Sequence, residues 1–222
     1  MHLKPRPSNP INQSFISANQ TILSINSIQT LQTTQTGENI IHIEYEDGTT
    51  YEGQFKDDLK NGYGILTYLN GDSYEGEFVS DEFHGKGKYS TNNMIYQGEW
   101  VKGFCHGFGK ETWQDGSVFQ GFFAHGVKSG RGSYLWNDGS SYDGEWRNGK
   151  MQGQGKFMYK NGDVYQGGFV NGERHGQGEL IYMTGRKYTG SFQGGKLHGR
   201  GVIELENGQV LHGFWRNGTM VE

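Results

Sequence analysis

The chain has 222 residues, 38 of them glycine, 14% aromatic side chains, one cysteine and a formal net charge of −4. No apolar run approaches the ~20 residues of a membrane-spanning helix, residues 1–36 lack the three-part pattern of a secretory signal, and the lone Cys105 cannot close an internal disulfide. A cytoplasmic, soluble protein is expected, and without a basic face it is no candidate for generic nucleic-acid binding.

Residues 1–37 form a polar arm rich in Ser, Asn, Gln, Thr and Ile, with Pro5, Pro7 and Pro10 at its start and Lys4 and Arg6 as its only charges. Phe15, Ala18, Ile22, Ile25, Ile28 and Leu31 recur at three- and four-residue spacing, one helical stripe. The intervening Ser, Thr and Asn compete with the helix for backbone hydrogen bonds. The arm is expected to be disordered, or to order only against a partner or the sheet that follows.

From residue 38 to 222 one pattern takes over. YEGQF at Tyr51 returns as YEGEF at Tyr74, YQGEW at Tyr96, FQGFF at Phe119, YDGEW at Tyr142, YQGGF at Tyr165, YTGSF at Tyr188 and a degenerate LHGFW at Leu211. The starts lie 23, 22, 23, 23, 23, 23 and 23 residues apart. A fixed period of this size marks an array whose units need their neighbours to bury an apolar face. The glycines follow the same period, which rules out low complexity.

With the leading Tyr as position 0, positions 0, 2 and 4 share one face of a first strand. Position 7 is usually glycine (Gly103, Gly126, Gly149, Gly172, Gly195), suiting a turn with positive φ. HGxG at His84, His106, His175 and His198 opens a second strand, and position 17 returns an aromatic or Leu on the ring face. Asn-Gly-Asp at Asn70 and Asn161 reads as a two-residue hairpin turn. Each unit is therefore a β-hairpin, and the fold class is all-β: an elongated single-layer twisted antiparallel sheet of tandem 23-residue hairpins. A half-unit at Ile41–Tyr45 precedes the first full repeat, giving fifteen or sixteen strands. Glycines at positions 2, 11 and 13 are expected to form hollows for the rings at positions 0, 4 and 17. The unpaired edge strands invite self-association.

YEGEF…HGKG and YQGEW…HGFG resemble the MORN (membrane occupation and recognition nexus) repeat, YxGxWxxGxxHGxGxxxxxxG, over about residues 51–218. Asp58 and Asp81 depart from it at position 7, and Asn61, Ser129 and Gln152 at the histidine. The resemblance implies a scaffold sheet, similar to radial-spoke-head and other axonemal proteins, with any catalytic domain separate from the repeats. No such domain is expected here.

Hidden chemistry finds little support. Histidines of successive repeats sit two strands apart, about 9–10 Å, too far for rigid rings to share a Zn²⁺ bonded at ~2.0–2.1 Å. His125 lies off the pattern and has no companion ligand in this reading. Cys105 reads as a small residue tolerated at a turn, facing away from His106. GFGKET and GQGKFM are not phosphate loops. No catalytic residue, metal site or cofactor is expected.

The ladder of Tyr51, Phe55, Tyr74, Phe78, Tyr96, Trp100, Phe119, Phe123, Tyr142, Trp146, Tyr165, Phe169, Tyr188, Phe192 and Trp215 lines one face. It reads as internal packing, or as a groove taking a partner protein's helix or extended segment. The expected function is a non-catalytic scaffold of a cytoskeletal assembly, with the cilium or axoneme as the setting the resemblance implies. The alternatives are a peripheral membrane tether for acidic phospholipids, or a regulatory subunit of an enzyme supplied in trans. Net charge disfavours membrane contact: residues 38–99 carry 13 acids and 4 bases, and Arg186-Lys187 is the only adjacent basic pair.

Overall fold

The structure, a computed structural model, describes residues 25–33 and 39–221. These form eighteen strands and no helix. They divide into an amino-terminal unit (25–33, 39–115 and 122–127) and a carboxyl-terminal unit (116–121 and 128–221). Within each unit strands pair antiparallel with their chain neighbours, so each is a single-layer meander of hairpins. In the first, Thr50–Lys56 pairs with Leu59–Thr67, Ser73–Val79 with Glu82–Ser90 and Met94–Val101 with Phe104–Trp113. In the second, Ser141–Arg147 pairs with Lys150–Met158, Val164–Val170 with Glu173–Ile181 and Lys187–Gln193 with Lys196–Glu204. Val118–Ala124 and Val127–Leu135 are the strands of the fourth repeat.

The tight turn falls at positions 6 and 7. Lys102-Gly103, His125-Gly126, Asn148-Gly149, Asn171-Gly172 and Asn217-Gly218 have positive φ at both residues, as do Asp57-Asp58 and Ser80-Asp81. That is the type I′ hairpin turn, whose twist matches the strands it joins. Aspartate tolerates the left-handed region better than most residues, which accommodates Asp58 (φ 60°) and Asp81 (φ 67°) where glycine was expected. Each turn hangs on the repeat before it: Gly103 N–H donates to Phe83 O (2.9 Å), Gly126 N–H to Cys105 O (2.8 Å) and Gly172 N–H to Met151 O (2.9 Å). The Asn-Gly-Asp turn differs from expectation. Tyr68 N–H bonds Asp72 O and Gly71 N–H bonds Tyr68 O, closing a three-residue loop in which Gly71 alone has positive φ (85°).

The ring face is built on glycine. Gly98 and Gly109 pair across the hairpin, and the Tyr96 ring lies over both; a Cβ on Gly98 would sit 2.5 Å from Tyr96 Oη. The hydroxyl passes between them to donate to Glu99 O at 2.9 Å. The same bond recurs from Tyr51 to Gln54 O, Tyr74 to Glu77 O, Tyr142 to Glu145 O, Tyr165 to Gly168 O and Tyr188 to Ser191 O, at 2.9–3.1 Å. Burial raises the pKa of each of these phenols, that of Tyr165 to about 12, so they stay protonated donors. Phe119 occupies the same position without a hydroxyl. Tyr142→Phe should therefore keep the packing and cost about 1 kcal/mol, the worth of one such bond. A melting temperature equal to that of the wild type would remove the bond from the account of stability.

Position 11 corrects the expectation that its glycine is a ring hollow. Between the pairs Gly76↔Gly87 and Glu77↔His84 the first strand advances one residue and the second three, a bulge. The position-11 glycines sit in that bulge with positive φ, from 56° at Gly85 to 91° at Gly62. Gly62, Gly85, Gly107, Gly153 and Gly199 turn toward the side chain at position 3, not toward a ring. The bulge also defines core rows the sequence reading passed over. Leu66, Tyr89, Tyr134, Phe157, Leu180 and Ile203 at position 15 are buried, as are Phe83, Met151 and Leu197 at position 9, whereas the position-17 rings are half-buried.

Ile25–Thr33, within the arm, is a strand pairing antiparallel with Asn39–Tyr45. The helical stripe is thus overturned across Ile25 and Ile28. Repeated Ile and Thr disfavour a helix, and the edge of Asn39–Tyr45 offers the segment backbone partners. This strand and Thr219–Met220 raise the count above the fifteen or sixteen expected. Phe15, Ala18 and Ile22 lie outside the described residues.

Candidate functional site

The ring ladder is consumed by packing. Of its fifteen residues, from Tyr51 to Trp215, fourteen are buried and Phe55 is half-buried. Trp100 shows how. It meets Tyr96, Tyr74 and Phe83 edge to face at 5.0, 5.3 and 5.4 Å, and its Nε1–H donates to Gly87 O at 3.2 Å. Trp146 repeats the arrangement on Tyr142, Phe119 and Gly132 O. The reading of these rings as an open partner groove gives way to internal packing, because the glycine hollows admit the rings and the next hairpin covers them.

The opposite face carries the exposed groups. Position-3 acceptors there hold the bulge: Glu77 accepts from Lys86 N–H at 2.9 Å, Glu145 from Gln154 N–H at 3.1 Å and Gln54 from Tyr63 N–H at 2.6 Å. Nothing in the repeat pattern singles these residues out. Beside them lie apolar side chains with no cover. In the amino-terminal unit Tyr63, Ile65, Ile95, Phe108 (43% exposed) and Phe122 (49%) stand out, with Phe108 and Phe122 edge to face at 5.6 Å. In the carboxyl-terminal unit Leu135, Met158 and Ile181 are exposed, and Leu135 and Met158 help line a shallow depression of about 450 Å³ with Val118, Gln120, Asp143 and Lys156.

Three findings change the reading of individual polar residues. Cys105 is fully buried at position 9, where Phe83 stacks on Tyr74 at 3.7 Å in the preceding repeat. It is a core residue, not a turn residue. Glu111, also fully buried, occupies core position 15, filled elsewhere by Leu, Tyr, Phe or Ile. Burial first, then the neighbouring Cys105 thiol and Glu111 carboxyl, raises the Tyr96 phenol's pKa. Third, position 9 also takes cations. Lys60 Nζ bonds Asp81 at 2.9 Å and lies 5.7 Å from the Tyr51 centroid, Lys128 lies 4.8 Å from Phe119, and Arg174 lies 5.3 Å from Phe192 while its guanidinium donates to Gly195 O. Their stems fill the core slot, and the heads of Lys60 and Arg174 tie one repeat to the next.

Among the described residues no group of three or more His, Cys, Asp or Glu side chains could hold a metal ion. No helix among them is long and apolar enough to cross a membrane. His125, however, does have a companion. Its ring centroid lies 5.8 Å from that of His106, against the expectation of an isolated histidine.

Seven consecutive stretches, 51–73, 74–93, 96–118, 119–141, 142–164, 165–185 and 188–210, match the MORN repeat. The chain belongs to the MORN repeat family. The position-0 Tyr, the glycines at positions 2, 11 and 13 and the position-4 ring of its MORN motif correspond to the phenol bond, the bulge and the ring stack described above. Among solved structures the chain is similar to the TCP10 domain of Danio rerio CPAP, in complex with a STIL peptide (TM-score 0.46, 12% identity, covering 85% of this chain and 84% of that one). It is also similar to the TCP domain of Drosophila melanogaster SAS-4 (dCPAP), in complex with a proline-rich motif of Ana2 (TM-score 0.34, 15% identity, 96% of each chain). No curated protein sequence matches the chain.

Proposed function

We propose that this MORN array is a non-catalytic protein-interaction module, and more finely a scaffold of a cytoskeletal assembly, with the cilium or axoneme as its setting. The observation that carries the reading is the division of labour between the faces. One face spends its aromatic side chains on holding hairpins together, while the other leaves Tyr63, Ile65, Phe108 and Phe122 uncovered in the amino-terminal unit. Exposed aromatic side chains are the usual anchors of protein interfaces.

The test is a comparison of the tagged full chain with a Phe108→Lys, Phe122→Gln variant, each extracted from its own cell in mild detergent. Lys86 and Gln54 already occupy the equivalent positions of other repeats, so the variant should melt like the wild type. The reading expects proteins of the insoluble cytoskeletal fraction to co-purify with the wild type and to be lost from the variant. Identical sets of bound proteins would remove this face from recognition, and release together with lipids would replace the scaffold by the membrane tether.

A further inference from the structure

In every repeat the residue at position 10 stands beside position 6 of the following repeat, because each turn hangs on the position-9 carbonyl before it. Gly126 N–H donates to Cys105 O at 2.8 Å, which brings His125 against His106. The register is the same where Gln152 Oε1 accepts from Asn171 N–H at 3.1 Å. The corresponding pairs elsewhere are Asn61 and Ser80, His84 and Lys102, Ser129 and Asn148, His175 and Gly194, and His198 and Asn217. In the seven full repeats only the third and fourth supply an imidazole to both sides of the junction.

The two rings are 5.8 Å apart, centroid to centroid, at an interplanar angle of 77°. An imidazole nitrogen bonds Zn²⁺ at ~2.0–2.1 Å, which puts the ion about 3.2 Å from the ring centroid. Two rings sharing one ion then have centroids about 5.2 Å apart at a tetrahedral angle and up to about 6.4 Å apart when opposed. The observed separation lies inside that window. His106 is half-buried on its strand, whereas His125 is exposed on a type I′ turn fixed at φ 48°. Phe104, 6.4 Å from His125 and edge to face with it, is a second ring beside the turn. The turn, the strand and Phe104 thus limit how far His125 can swing from His106.

We infer that His106 and His125 form a two-histidine binding site for a divalent transition-metal ion of the zinc class, whose remaining coordination positions are open to water or to a donor from another chain. Imidazole nitrogens favour Zn²⁺, Ni²⁺ and Cu²⁺ over Mg²⁺ and Ca²⁺, which want oxygen. Metal and proton compete for the same nitrogens, so binding weakens on acidification. The inference is independent of the scaffold reading: the ion binds whether or not a partner supplies a further ligand.

The array itself provides substitutions compatible with its fold. Asn148 and Asn171 hold the position of His125, and Gln152 that of His106. The experiment titrates ZnCl₂ into the untagged full chain by calorimetry, with His125→Asn, His106→Gln and, as control, His84→Gln. Wild type and control should show one saturable site per chain and a melting temperature that rises with zinc. Each of the first two variants should melt normally without zinc and lose at least about tenfold in affinity, because removing a ligand costs no less than removing its second-shell support. The imidazole ¹⁵N resonances of His106 and His125 should shift together on titration. The assignment falls if wild-type binding is not saturable, if His125→Asn binds zinc as tightly as wild type, or if His84→Gln weakens binding as much.

Discussion

Trp100→Ala combined with Trp146→Ala is expected to unfold much of the protein, not to detach a partner from an intact sheet. Trp100 is 1% exposed and Trp146 4%. Each ring is enclosed by neighbouring rings, and its indole N–H is bonded to a glycine carbonyl of the preceding repeat. Truncating a buried Trp to Ala costs about 3–5 kcal/mol through lost transfer energy and the cavity left behind. The two residues lie in different units, so their costs should add. The sum, about 6–10 kcal/mol, rivals the 5–15 kcal/mol that holds a typical domain folded. Phe78 and Phe169 stand at the same position in other repeats. The matching double Trp→Phe variant should therefore keep most of the ring contact and lose chiefly the two indole bonds. Urea unfolding of the three proteins separates these cases. If the double alanine variant unfolded at the wild-type midpoint, the rings would not be the core, and a free aromatic groove would return as the better reading.

The period, the hairpins and the ring face were legible because one pattern is written eight times and a strand has only two faces. What the pattern concealed is the bulge. Glycines at positions 2, 11 and 13 look alike in the sequence, and on an unbroken strand positions 11 and 13 would share a face. Two of the three serve as hollows for Tyr, but position 11 is glycine because the chain there needs positive φ. That distinction rests on how many residues each strand spends between paired positions, which no single residue reveals. Glu77, Glu99 and Glu145 were opaque for the same reason. Their carboxylates accept backbone N–H groups that only the bulge leaves exposed.

Candidate sites were read less well, and in a consistent direction. Reasoning from the repeated residues favours whatever recurs, so the rings stand in the sequence both as internal packing and as a binding groove. The informative residues are those that break the pattern: Phe122 where Glu or Gln often stands, Glu111 in an apolar core row, and His125 in a turn. Their neighbours are set by the register between successive repeats. His106 and His125 are 19 residues apart in the chain, yet the turn's hydrogen bond to Cys105 O makes them neighbours.

Gly98→Val tests the glycine hollow directly and should lower the melting temperature strongly. A Cβ at residue 98 would lie 2.5 Å from Tyr96 Oη, 2.6 Å from Gly109 Cα and 2.8 Å from Phe108 O. Two of those atoms are backbone, so the strand pair must part or the Tyr96 ring must leave its slot and give up its bond to Glu99 O. Carbon atoms favour separations of about 3.5–4.0 Å, and overpacking of a well-filled core costs about 1–3 kcal/mol, occasionally more. The clash with backbone and the lost phenol bond place this variant at the upper end, about 3 kcal/mol. For a chain of this size that corresponds to a fall of about 6–12 °C. Gly116→Ala is the control, because its added Cβ meets nothing within 4 Å and it bears only the cost of φ 85°, about 1–2 kcal/mol. If Gly98→Val lost no more than the control, the rings would be resting on the glycines without needing them. Strand pairing alone would then account for each hairpin.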